Sequence, residues 1–178
     1  MKSARTVFIV MAGFGAVVML SGCMRHPAIQ TSAALSPVAP SGPIKVVLDS
    51  GDTSHVERVG DWPTGAGGDD WGDSCRFALK GKGECKFTWR PELPKAGNYR
   101  VSVWFGGDPN RDHATDSPFT VCFAKGKKTI QMNQTKLSDG WKALGVFPFE
   151  AGTSGYVELT NNANGNVVAD GVQFELVK

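Results

Sequence analysis

Four of the five tryptophans, Trp62, Trp71, Trp104 and Trp141, offer flat apolar faces, and Asp69, Asp70, Asn110, Arg111 and Asp112 offer planar hydrogen-bonding groups. Sugar recognition asks for this pairing: rings for the C–H patches of a pyranose, and polar side chains for its hydroxyls. Trp71 stands in a Gly/Asp loop, "GGDDWGD", without apolar neighbours, and is the leading ligand contact. Trp104, Trp62 and Trp141 follow, supported by Asp70, Asn110 and Asp112; packing is the alternative for each ring. Trp89 shares a strand face with Phe87 and is assigned to the core.

Catalysis finds little to work with. From residue 44 onward the histidines are His55 and His113, and neither G-x-S-x-G nor H-E-x-x-H occurs. The chain is therefore expected not to be an enzyme. "DPNRDHATD" sets Asp108, Asn110 and Asp112 at alternate positions, as a calcium loop does, but His113 and Phe119 stand where an EF-hand needs Gly and Glu. No cofactor is expected; a structural calcium, there or at "GGDDWGD", is the alternative to a solvated acidic loop.

A thiol near the N-terminus gives the address. Lys2 and Arg5 precede an apolar run of 14 residues, Val7 to Leu20, which ends in "LSGC". That run is too short for a bilayer core of about 30 Å and suits a signal peptide. Small residues ending in Cys23 resemble the lipobox of bacterial lipoproteins. The resemblance implies that residues 1–22 are removed and that Cys23 receives a diacylglyceryl group and an amide-linked, palmitate-type chain, an anchor to the membrane. Met24 stands where an inner-membrane retention signal usually has Asp, so the outer membrane is expected. Residues 24–43, rich in Pro, Ala and Ser, read as a flexible tether with an r.m.s. span of about 25 Å.

Removing residues 1–22 takes two basic residues from 19 and none of the 17 acidic ones, which leaves 17 of each. A neutral mature chain argues against nucleic acid as a partner. Residues 44–178 are long enough for one domain with its own core. In an exported chain disulfides persist. Cys75 shares a strand face with Phe77 and Leu79, and Cys85 one with Phe87 and Trp89, across the turn "KGKG". A hairpin there would join Cys75 to Cys85 and leave Cys122 free. Another pairing, a metal or no bond are the alternatives, though no C-x-x-C spacing supports zinc.

These residues must be positioned by strands. From Ile44 the chain alternates apolar and polar residues in short segments parted by turn signals, with no helical period. The segments are 44–49, 75–79, 85–90, 98–105, 119–124, 128–134, 142–149, 156–161 and 167–177. About nine strands in this length predict an all-β sandwich or jelly roll. In "YRVSVWF" Tyr99, Val101, Val103 and Phe105 face the core, while Trp104 lies on the polar side with Arg100 and Ser102.

Several phrases resemble the golvesin C-terminal-like domain, a module also found beside xanthan-lyase-type enzymes. They are "LDSGD", "CKFTWRPELPKAGNYRVSVWF", "ATDSPFTV", "QMNQ", "GWKALGVFPFEAGTSGYVELTN" and "VVADGVQF", in order from about residue 46 to 176. The resemblance implies a β-sandwich accessory module that binds carbohydrate. The acidic loop "GAGGDDWGDSC" and the two hairpin cysteines depart from the family's pattern. The sequence thus predicts a lipid-anchored, non-catalytic binding module of the bacterial cell envelope, directed at a polysaccharide. The alternative is an assembly subunit that packs on another envelope protein.

Overall fold

The computed structural model describes residues 42–65, 69–108, 110–136 and 140–178. The export signal, Cys23 and nearly all of the tether lie outside the described residues. The strands are β1 (Lys45–Leu48), β2 (Val56–Val59), β3 (Thr64–Gly65), β4 (Cys75–Ala78), β5 (Lys86–Trp89) and β6 (Gly97–Trp104). They continue with β7 (Ser117–Phe123), β8 (Gly126–Met132), β9 (Lys142–Phe149), β10 (Tyr156–Thr160), β11 (Val167–Ala169) and β12 (Gly171–Leu176). No helix occurs among the described residues.

One sheet has the order β1-β12-β6-β9, a second β2-β5-β10-β7-β8, and a short third β11-β4-β3. Every strand pairing is antiparallel. Period-two alternation decides which side chains enter the core. Tyr99, Val101 and Val103 of β6 are fully buried, as are Phe87 and Trp89 of β5 and Val157 and Leu159 of β10. Rings from the two large sheets meet where Phe123 of β7 lies 5.1 Å from Phe147 of β9, and within the first sheet Tyr99 and Phe174 both pack edge-on against Phe149. Gln134, also buried, joins the short sheet to this core. Its side chain donates to the Val168 carbonyl and accepts from the Val168 N–H and the Ser117 hydroxyl. A buried amide is tolerated there because its partners satisfy it.

Two strands escape the sequence pattern. β2, "VERV", is mostly exposed, and β3 has only two residues, so neither buries enough to leave an apolar signature. The last expected strand is broken in two at Asp170, giving β11 and β12.

The expected Cys75–Cys85 bridge is corrected. β4 and β5 do not form a hairpin: β4 pairs with β11 and β3, while β5 pairs with β2 and β10. The segment between them crosses from one sheet to another and is held by Asn161, whose amide binds Gly83 N, Cys85 N and the Leu79 carbonyl. Cys75 packs against Gly65 and Cys85 against Gly60, and the three described cysteines are free thiols. Burial, with the charge and hydrogen bond of Asp70 next, pushes the Cys75 thiol up to about 12, so it stays protonated and unreactive. Alkylation of the unfolded, unreduced domain should modify all three thiols; a bridged Cys75–Cys85 peptide would contradict this arrangement.

Candidate functional site

Trp104 ends β6 and is the cross-strand partner of Gly171 at the start of β12. Cross-strand partners project to the same face of a sheet. Since Val103 points into the core, Trp104 and the missing side chain of Gly171 share the outer face. Two indoles occupy that gap. A Cβ on Gly171 would lie 3.0 Å from Trp141 Cη2 and 3.1 Å from Trp71 Cγ, tighter than ordinary contact. Trp141 arrives immediately before β9, whose register against β6 shifts between Val101 and Ser102.

Trp71 arrives on the β3–β4 connection. Its backbone N–H donates to Asp170 Oδ2 at 2.9 Å, and the carbonyl of Asp69 accepts from Trp104 Nε1 at 2.6 Å. The connection comes down closely on the sheet end because Gly106 lies beneath it; a Cβ there would be 2.8 Å from Asp70 Oδ1. The outcome is one cluster of three half-buried indoles. Centroids are 4.8 Å apart for Trp71 and Trp141, 5.6 Å for Trp71 and Trp104, and 5.7 Å for Trp104 and Trp141. The rings are tilted by 56–70° to one another, so together they form a faceted apolar surface rather than a flat one. Such a surface offers faces for stacking; the same loop carries the exposed carboxylates of Asp69 and Asp73, while that of Asp70 turns inward toward Gly106 and Cys75.

Asp170 is the anchor of this arrangement. It is 1% exposed, its carbonyl accepts from Trp89 Nε1 at 3.2 Å, and its Oδ1 is buried without a hydrogen-bond donor among the described residues. Burial pushes its carboxyl up to about 8; the Trp71 N–H opposes that shift, and the charges of Asp70 and Asp49 add to it. At neutral pH the group is mainly the uncharged acid, which is how a carboxyl persists in so dry a place.

The sequence-derived site is thus gathered in part. Trp71, Trp104 and Trp141 come together, with Asp70 beneath the Trp71 loop. Trp62 does not join them. It is buried in the core, edge-on to Phe87 at 5.1 Å, with its Nε1 donating to the Val59 carbonyl. A ring in a polar loop carries no period to show that the loop folds inward. Asn110 and Asp112 are exposed in the β6–β7 connection, and no described hydrogen bond ties them to the rings. Asp108 accepts from Asn110 N and Arg111 Nε, and the Asn110 N–H chiefly holds its carboxyl below the usual range. That turn is closed on itself. Among the described residues no three acidic, His or Cys side chains are gathered as metal ligands.

Asp170 and Gly171 are the residues that sequence reasoning missed. One signal pointed to them: "VVADGVQF" places a charge in the middle of an apolar run, where a buried strand would not carry one without a reason.

The architecture defines a class, an antiparallel β-sandwich module with an aromatic cluster on the outer face of one sheet. Within that class the chain belongs to the golvesin C-terminal domain family, whose profile matches residues 46–176. It is 32% identical over 158 residues to xanthan lyase of Bacillus sp. (strain GL1), covering 83% of this chain and 16% of that protein. The solved Paenibacillus xanthan lyase is similar with a TM-score of 0.71 and 32% identity over 75% of this chain and 13% of that one. The chain therefore spans only a small part of either relative's length. The C-terminal CBM6 of the laminarinase LamC from Zobellia galactanivorans shares the fold, with a TM-score of 0.50 and 12% identity over 74% of this chain and 99% of that one.

Proposed function

We propose that this chain is a lipid-anchored, non-catalytic module of the bacterial cell envelope that holds a polysaccharide against Trp71, Trp104 and Trp141. The observation that carries the reading is the convergence of three half-buried indoles on the polar face of a sheet, where core packing does not require them. Homology to a segment of a polysaccharide lyase supports it. The anchor rests on "LSGC" and the run before it. Two lipid chains would hold the module stably at the membrane, and the tether would lift it from the lipid surface.

A glycan array probed with residues 44–178 tests the binding. Trp71→Ala and Trp104→Ala should each weaken the best hit by about 1–3 kcal/mol, by analogy with base stacking on aromatic rings. Unchanged affinity in both variants would defeat the reading. For the anchor, Cys23→Ser should leave the precursor unprocessed and stop incorporation of labelled lipid; normal processing of that variant would argue against it.

A second reading, an assembly subunit on an envelope protein, draws on a different place. A cavity of about 600 Å³ is lined by Asp61, Pro63, Phe77, Leu79, Glu84 and Cys85 among others, and Leu79 is 66% exposed beside it. Loss of a captured envelope protein on Leu79→Asp, with glycan binding intact, would favour that reading.

A further inference from the structure

The aromatic cluster is set in an acidic frame. Asp69, Asp70 and Asp73 flank Trp71 within two residues on either side, and Asp49 is near enough to act on Asp170 below. Asp69 and Asp73 are exposed, and neither enters an ion pair among the described residues. The cations nearest along the chain or in packing are Arg76, which lies three residues after Asp73 in β4 and donates to the Thr64 hydroxyl, Lys142, which follows Trp141, and Lys136, whose backbone lies against Gly107; none falls between residues 69 and 73. The loop that presents the leading ring is therefore negative. Indole faces add to this, because their quadrupole turns its negative side toward whatever lies on the ring.

From this geometry we infer that the cluster selects its glycan by charge: it takes sugars bearing free amino groups first, uncharged sugars next, and turns away uronates. The inference rests on the reading of the cluster as a glycan site and names the class of sugar that site accepts. An ammonium on a pyranose can stand over an indole face while the Asp69 and Asp73 carboxylates lie nearby. A uronate in the same pose meets like charge and the negative ring faces. The exposed setting keeps each pairwise interaction modest, and their sum gives a difference of about tenfold between amino and uronate sugars at low salt, shrinking as salt rises.

The test measures three ligands of equal length on the full chain in a sugar-free non-ionic detergent: glucosamine oligomers, N-acetylglucosamine oligomers and galacturonate oligomers. Wild type should bind them in that order, and the spread should narrow at 0.5 M salt. Asp69→Asn with Asp73→Asn changes two exposed side chains and leaves in place the Asp69 carbonyl that Trp104 uses. It should bring the amino and uronate affinities within about threefold. Uronate binding as tight as amino binding in wild type, or an unchanged spread in the double variant, overturns the charge selection. If all three bind equally and Trp71→Ala removes all three, the glycan site stands and the selection falls. If none binds, both fall.

Discussion

Between about pH 4 and pH 8 the domain should lose stability steadily and then level off, and Asp170→Asn should remove most of that slope. The folded state holds a proton on Asp170 up to about pH 8, whereas the unfolded chain releases it near the ordinary value of 3.8. A group with a raised folded pKa contributes stability that is fully present below the unfolded pKa. That stability is lost as pH rises toward the folded pKa and is gone above it. The shift corresponds to roughly 6 kcal/mol as an upper bound, and water penetration and relaxation reduce it to a few kcal/mol. Two neighbours sharpen the effect, because an ionised Asp170 faces the carboxylates of Asp70 and Asp49. Cys75, which also faces Asp70 and Asp170, stays protonated throughout this window. Asn at 170 keeps an oxygen for the Trp71 N–H and cannot ionise, so its melting curve should be flatter and higher than wild type at pH 9. Equal slopes in the two proteins would show that another group carries the pH dependence.

The largest single loss of stability is expected from Trp89→Ala, about 3–5 kcal/mol in urea unfolding. Trp89 is fully buried, lies 4.6 Å from Phe87 and 6.4 Å from Phe119, and donates its Nε1 to the Asp170 carbonyl. Truncation leaves a cavity where these rings meet and takes the donor from a buried carbonyl. That carbonyl belongs to the residue that anchors Trp71, so the damage should also reach the aromatic cluster. Trp71→Ala removes a half-buried ring and should cost much less stability while costing more affinity. A reversal of the two profiles would mean that the core and the binding surface have been exchanged.

Much of the fold was legible because strand periodicity is local. "YRVSVWF" assigns Tyr99, Val101 and Val103 to the core and Trp104 to the other face with no knowledge of the partner strands, and burial agrees. The gathering of the site was less legible. Trp71, Trp104 and Trp141 meet because β6 pairs with both β12 and β9, an arrangement fixed by contacts distant in sequence. The gap they fill is a hydrogen atom, at Gly171. The thiol pairing failed for a related reason. Two core-facing cysteines across a glycine turn look like a hairpin, yet the turn carries the chain to a different sheet, held by Asn161 and Asn166 from far along the chain.

The central claim is that the ligand lies on the cluster of Trp71, Trp104 and Trp141. The five tryptophans give five indole N–H signals in a nitrogen-15 correlation spectrum, each assignable by substitution with Phe. Titration with the best glycan from the array should shift the signals of Trp71, Trp104 and Trp141 and leave those of buried Trp62 and Trp89 in place. Saturable glycan binding that moves none of the three clustered signals would contradict the account.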